Sequence, residues 1–133
     1  MSNTKATGVA YLDPEFSTMY ATDEMGYAAS AQGTVTQLTS KSTGVTLDKS
    51  AGRITMNGAS LGAGASVTFT LTNSRISTND VVIANVGGGG TAGAYWPYVS
   101  SISAGSAVIG LWNSTGGALS EAVILNFAII HNE

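Results

Sequence analysis

Ala122-Val123-Ile124-Leu125-Asn126-Phe127-Ala128-Ile129-Ile130 is apolar at every position but Asn126 and rich in β-branched side chains. It is far shorter than the roughly 20 residues a membrane-crossing helix needs. Ile, Val and Phe favour a pleated surface over a helix. The run therefore predicts a strand buried on both faces, between neighbours in a packed β core.

Working back from that strand, the chain from Thr34 onward is a series of short β runs punctuated by Gly, Ser and Asn. Val67-Thr68-Phe69-Thr70-Leu71-Thr72 alternates most cleanly, with Val67, Phe69 and Leu71 on one face. Thr34–Thr39, Val45–Leu47, Arg53–Asn57, Asp80–Val86, Ala94–Ser103 and Ala107–Asn113 supply the others. Pro97 cannot donate to a ladder, which puts its run at a sheet edge or a bulge. Gly58–Gly64 and Gly87–Gly93 are too glycine-rich for regular structure. About seven strands with turn signals every 8–12 residues predict an all-β fold, a single antiparallel β-sandwich. Jelly-roll and immunoglobulin-like orders are not distinguished. No long helical pattern is present to carry parallel crossovers.

Residues 1–32 have a different texture and are expected to form an N-terminal arm or short helix ahead of a sandwich domain at 33–133. Asp13-Pro14-Glu15 has the pattern of a helix start, and Phe16, Met19 and Tyr20 then share one face. So short a helix needs a surface to dock on. That surface is either its own domain or a neighbour, and Tyr11, Phe16, Met19, Tyr20, Met25 and Tyr27 are the candidate anchoring residues.

Composition narrows the function. Charged residues are 10% of the 133, against roughly 25% in ordinary soluble domains. A surface so weakly charged defends poorly against association and suits a chain that meets partners. The net charge of -3, with basic residues scattered, offers no nucleic-acid footprint. Met1–Lys5 is followed by no apolar signal region, and no membrane partner is expected.

Recognisable catalytic chemistry is sparse. Without cysteine and with His131 alone, the ligand count for structural zinc is not met. Asp13, Glu15, Asp23 and Glu24 are read as solvated carboxylates, and Asp48, Asp80 and Glu121 as turn residues. The glycine run at 87–93 lacks the Gly-Lys-Ser/Thr of a phosphate loop. No catalytic residue, metal or cofactor is assigned. Tyr95-Trp96-Pro97-Tyr98 is the one candidate platform, for a subunit interface, the domain's own core or a sugar ring, with Trp112 a further member.

Ser42–Leu47, Gly52–Asn57, Ala63–Asn73, Thr78–Val82 and Leu119–Ile130 together resemble a β module of tailed-bacteriophage structural proteins, of head-decoration, head-fibre and tail-fibre-like kinds. The likeness covers about two thirds of the chain. It implies a virion surface protein, commonly a homotrimer, made in the host cytoplasm and bound to the major capsid protein or another virion protein. Its motifs mark core and turns, so it carries no site residue across. The leading expectation is a non-enzymatic capsid decoration protein that stabilises the assembled shell. The alternative is a receptor- or glycan-binding module of a head or tail fibre.

Overall fold

The structure, a computed structural model, describes residues 15–132. Eight strands lie among them: β1 (Gln32–Thr36), β2 (Val45–Thr46), β3 (Ala51–Thr55), β4 (Ser66–Thr72), β5 (Val81–Gly88), β6 (Tyr95–Ser103), β7 (Ser106–Asn113) and β8 (Ile124–Ile130). They form two packed four-stranded sheets, ordered β1-β3-β8-β5 (sheet I) and β2-β4-β7-β6 (sheet II). The fold is a β-sandwich.

Alternation along each strand builds the core. From sheet II, Phe69 and Leu71 of β4 and Ala107, Ile109 and Leu111 of β7 point inward. From sheet I they meet Ile54, Val82, Leu125, Phe127 and Ile129. Burying each large side chain contributes about 1.5–3 kcal/mol. Four of the six strand pairings, the ladders through β7 and β8, are antiparallel.

The outermost pairs differ from the expected antiparallel pattern: β1 runs parallel to β3, and β2 parallel to β4. No helix is required, because the strand between each parallel pair lies in the opposite sheet. The chain returns to its first sheet by arching across the sandwich.

Pro97 lies on β6, the edge strand of sheet II, as its missing donor requires. β5 continues through Gly87 to Gly88, further than the glycine run suggested, with a bulge between Val86 and Gly88 in its pairing to β8. Gly89 then takes φ +72, and a Cβ there would collide with the Ala122 carbonyl.

Two expectations are corrected. The helix beginning at Asp13-Pro14 does not appear in the described part of its span: residues 15–28 contain no helix or strand, and the first helical turn is the 3-10 turn Ala29–Ala31. Three spaced side chains without a supporting surface do not offset the cost of nucleating a helix. Asp13, Pro14 and Tyr11 lie outside the described residues. In addition, β8 is central in its sheet but buried on one face only. Leu125, Phe127 and Ile129 are inside, whereas Ile124, Asn126 and Ala128 are half-buried and Ile130 is exposed.

Candidate functional site

The outward face of sheet II gathers the exposed aromatics. Trp96 of β6 and Trp112 of β7 stand directly opposite each other, and Tyr98 follows two residues along, opposite Gly110. A Cβ on Gly110 would overlap the Tyr98 ring, so the ring lies flat across a glycine that only a bare backbone leaves room for. The Trp112 indole donates to the Gly64 carbonyl at 3.1 Å, which fixes that ring's orientation. Trp96 is 60% exposed. Ser66 and Thr68 of β4 continue the same rows and edge the aromatics with hydroxyls.

Tyr95 does not join them. It is buried in the core, with its ring against Gly90. Burial, together with the nearby Glu121 carboxylate, pushes its phenol up to about 12. No hydrogen bond of sound geometry satisfies its hydroxyl. Period-two alternation already held this answer, since Tyr95 shares a face with Pro97 and Val99, and Trp96 with Tyr98.

The loops around this face are tied by buried polar groups that the sequence analysis did not single out. Asn113 is fully buried at the end of β7. Its Nδ2 donates to the carbonyls of Leu61 (3.0 Å), Gly62 (3.0 Å) and Gly117 (2.8 Å), and its Oδ1 accepts from Thr115 N (3.0 Å) and Oγ1 (2.7 Å). Asn73, at the end of β4, repeats the device: it donates to Lys49 O at 2.7 Å and accepts from Arg75 N at 3.0 Å. The signal available was an Asn closing a strand before a turn, where its side chain caps the backbone two residues on. Lys41 is buried with its ammonium on the carbonyls of Asn57 and Glu121, and desolvation lowers its pKa despite the Glu121 charge.

The carboxylates hold turns. Asp48 accepts from Ser74 N, Glu121 from Thr91 N and Oγ1, and Asp80 from Ser77 N and Asn132 N. All three are lowered from ordinary carboxylate values, in each case first by the backbone N–H named: Ser74 for Asp48, Thr91 for Glu121 and Ser77 for Asp80. His131 meets one of them, its Nδ1 lying 3.0 Å from Asp80 Oδ2. Among the described residues no third group joins the pair through the other ring nitrogen, and no cluster of three His, Cys, Asp or Glu side chains has the makings of a metal site.

The second candidate region is the arm. Phe16, Met19, Tyr20 and Met25 all project into solvent, Phe16 at 66% and Tyr20 at 88% exposure. Tyr27 is the arm's root: its hydroxyl donates to the Ile129 carbonyl, and Gln32 Nε2 grips the Tyr27 carbonyl at 2.7 Å. Beside that root lies the outward face of sheet I, where Val81, Ile83 and Ile130 are exposed. A groove of about 530 Å³ on the β1-β3-β8 side is lined by Gln32, Thr34, Ala51, Arg53 and Asn126. Set against protein-family models, curated proteins and solved structures, the chain finds no match in any of the three.

Proposed function

We propose that this chain is a non-enzymatic structural protein of a tailed-bacteriophage virion, a capsid decoration protein that binds the assembled shell as an oligomer, a trimer by the sequence resemblance. The observation that carries the reading is the arm: four large apolar side chains held in solvent on a segment whose root is tied down. Leaving such groups uncovered forgoes about 1.5–3 kcal/mol apiece, a reserve that docking recovers. A protein that binds only the assembled shell stabilises it by mass action. The low charge of the chain suits this, since few ions must be desolvated on docking.

The test is rebinding. Particles stripped of the native protein are offered the full chain and the Phe16→Ser/Tyr20→Ser variant, and cryo-EM counts occupied positions. Binding by the full chain at symmetry positions in many copies, lost in the variant, supports decoration that depends on the arm, through the shell or through a neighbouring copy. Equal binding by both overturns the arm's role, and no binding by either overturns the reading.

A second reading, a receptor- or glycan-binding module, is favoured by Trp96, Tyr98 and Trp112. Their exposed flat faces, flanked by hydroxyls, suit stacking against sugar rings. Binding of the purified protein to host cells or to immobilised glycans, abolished by Trp96→Ala, separates it from the first.

A further inference from the structure

The outward face of sheet I is unfinished. Ile83 and Ala128 stand opposite each other, with Ala51 beyond Ala128 in the same row, and Val81 pairs with Ile130 in the next. The small side chains of Ala51 and Ala128 leave a depression, and Ile83 and Ile130, each 51% exposed, form its apolar rim. The groove over β1 and β3 continues it. The outward residues of β8 are apolar but for Asn126, yet in the single chain they are only half-covered and Ile130 is exposed.

The same chain carries an unfinished ligand. Phe16, Met19, Tyr20 and Met25 are uncovered, so the arm is not folded back onto this face in its own chain. Charge matches as well. From residue 15 to 28 the arm holds Glu15, Asp23 and Glu24 and no base, whereas the outward residues of sheet I include one charge, Arg53, which makes no ion pair among the described residues. Reach is sufficient: ten residues of extended chain beyond Tyr27 span up to roughly 35 Å, against roughly 15 Å across a four-stranded sheet.

We infer that residues 16–25 of one copy lie across the outward face of sheet I of a second copy, apolar side chains in the Ala51–Ala128 depression and carboxylates toward Arg53. Anchoring at Ile129 by Tyr27 starts the arm at the border of its own face and directs it outward to the neighbour's. The inference deepens the assembling-protein reading by naming the self-contact, and it does not depend on which particle the oligomer decorates.

The chain has no cysteine, so single thiols report contacts cleanly. A Tyr20→Cys chain and an Ile83→Cys chain, each full length, are co-expressed under different tags and treated with a short bis-maleimide. The expected product joins the two tags, at least about tenfold above the same-tag product of either variant alone. A chain carrying both substitutions that links only within itself, or no cross-tag product, overturns the inference. In parallel, sedimentation of the Ile83→Glu and Tyr20→Ser variants should show self-association weakened at least about tenfold, with melting temperatures of unmixed chains within a few degrees of each other. Unchanged self-association overturns the inference. If those variants stay oligomeric yet lose the stripped particles, the arm holds the shell and not a neighbour, so this inference fails while decoration stands. If they dissociate while the unaltered oligomer ignores particles, the exchange stands and decoration fails.

Discussion

Replacing Asn113 tests whether its amide, and not merely its volume, holds the end of the sandwich. In Asn113→Ala the three carbonyls each keep another donor: Leu119 N for Leu61, Ala65 N for Gly62 and Thr115 Oγ1 for Gly117. Only Thr115 N is left without its partner. Losing two to three effective hydrogen bonds at about 1 kcal/mol each, plus one unsatisfied donor, gives a loss of about 2–4 kcal/mol. Asn113→Asp has nearly the same shape but places an oxygen about 3 Å from three carbonyl oxygens in a fully buried site. The introduced carboxyl must stay protonated or be repelled, so its folded pKa lies above its unfolded value of about 3.9. A raised pKa means that its contribution is intact below the unfolded pKa and is lost as pH rises through the folded one. The Asp variant should therefore be the less stable of the two near pH 7, by 1 kcal/mol or more, and recover relative to the unaltered chain as pH falls toward about 4. Urea unfolding followed by far-UV circular dichroism at both pH values measures this. An Asp variant within about 1 kcal/mol of the unaltered chain at neutral pH would refute the reasoning.

Further outcomes follow from other sites. Phe69→Ala and Phe127→Ala, each emptying a nearly fully buried ring site, should each cost about 3–5 kcal/mol in urea unfolding. Gly110→Ala must displace the Tyr98 ring that covers it, with a loss of about 1–3 kcal/mol and a changed near-UV dichroism. Tyr95→Phe removes a buried hydroxyl without a partner and should be neutral or stabilising by up to about 1 kcal/mol. Asp48, Asp80 and Glu121 have lowered pKa values, so the stability they supply is present above ordinary carboxylate pKa values and is lost as pH falls through their folded ones. The melting temperature should accordingly drop below about pH 4, and Glu121→Gln should flatten that drop.

Strand identity was legible in the sequence wherever alternation or an apolar run was long: Val67 to Leu71, Asp80 to Val86 and Ala122 to Ile130 all became strands in substantial part. Pro97 located an edge because a missing N–H has only one tolerable place in a ladder. The parallel outer pairs were not legible, since which strand lies beside which depends on arches through the other sheet and not on local pattern. The aromatic platform was half legible. Its composition was evident, but grouping Tyr95 with Trp96 and Tyr98 overlooked the pleat. Buried Asn73, Asn113 and Lys41 were missed because polarity alone assigns such residues to the surface, and only the folded loops supply their partners.

The path of the chain has a consequence in time. Strands β1, β2, β3 and β4 are laid down in alternate sheets, so none of them pairs with the strand before it. Ala51 of β3 waits for Ala128, and Ser66 of β4 waits for Trp112. During synthesis the first half of the chain therefore leaves the ribosome with no hairpin available to it, and sheet I gains its central ladder only when β8 emerges. Long loops must close before contacts reward them, which makes for slow folding and prolonged exposure of strand edges. A nascent chain of this topology depends on holding its apolar strands apart until the final segment inserts between β3 and β5. Slowing translation before Ala122 should lengthen that interval and raise aggregation without altering the finished fold.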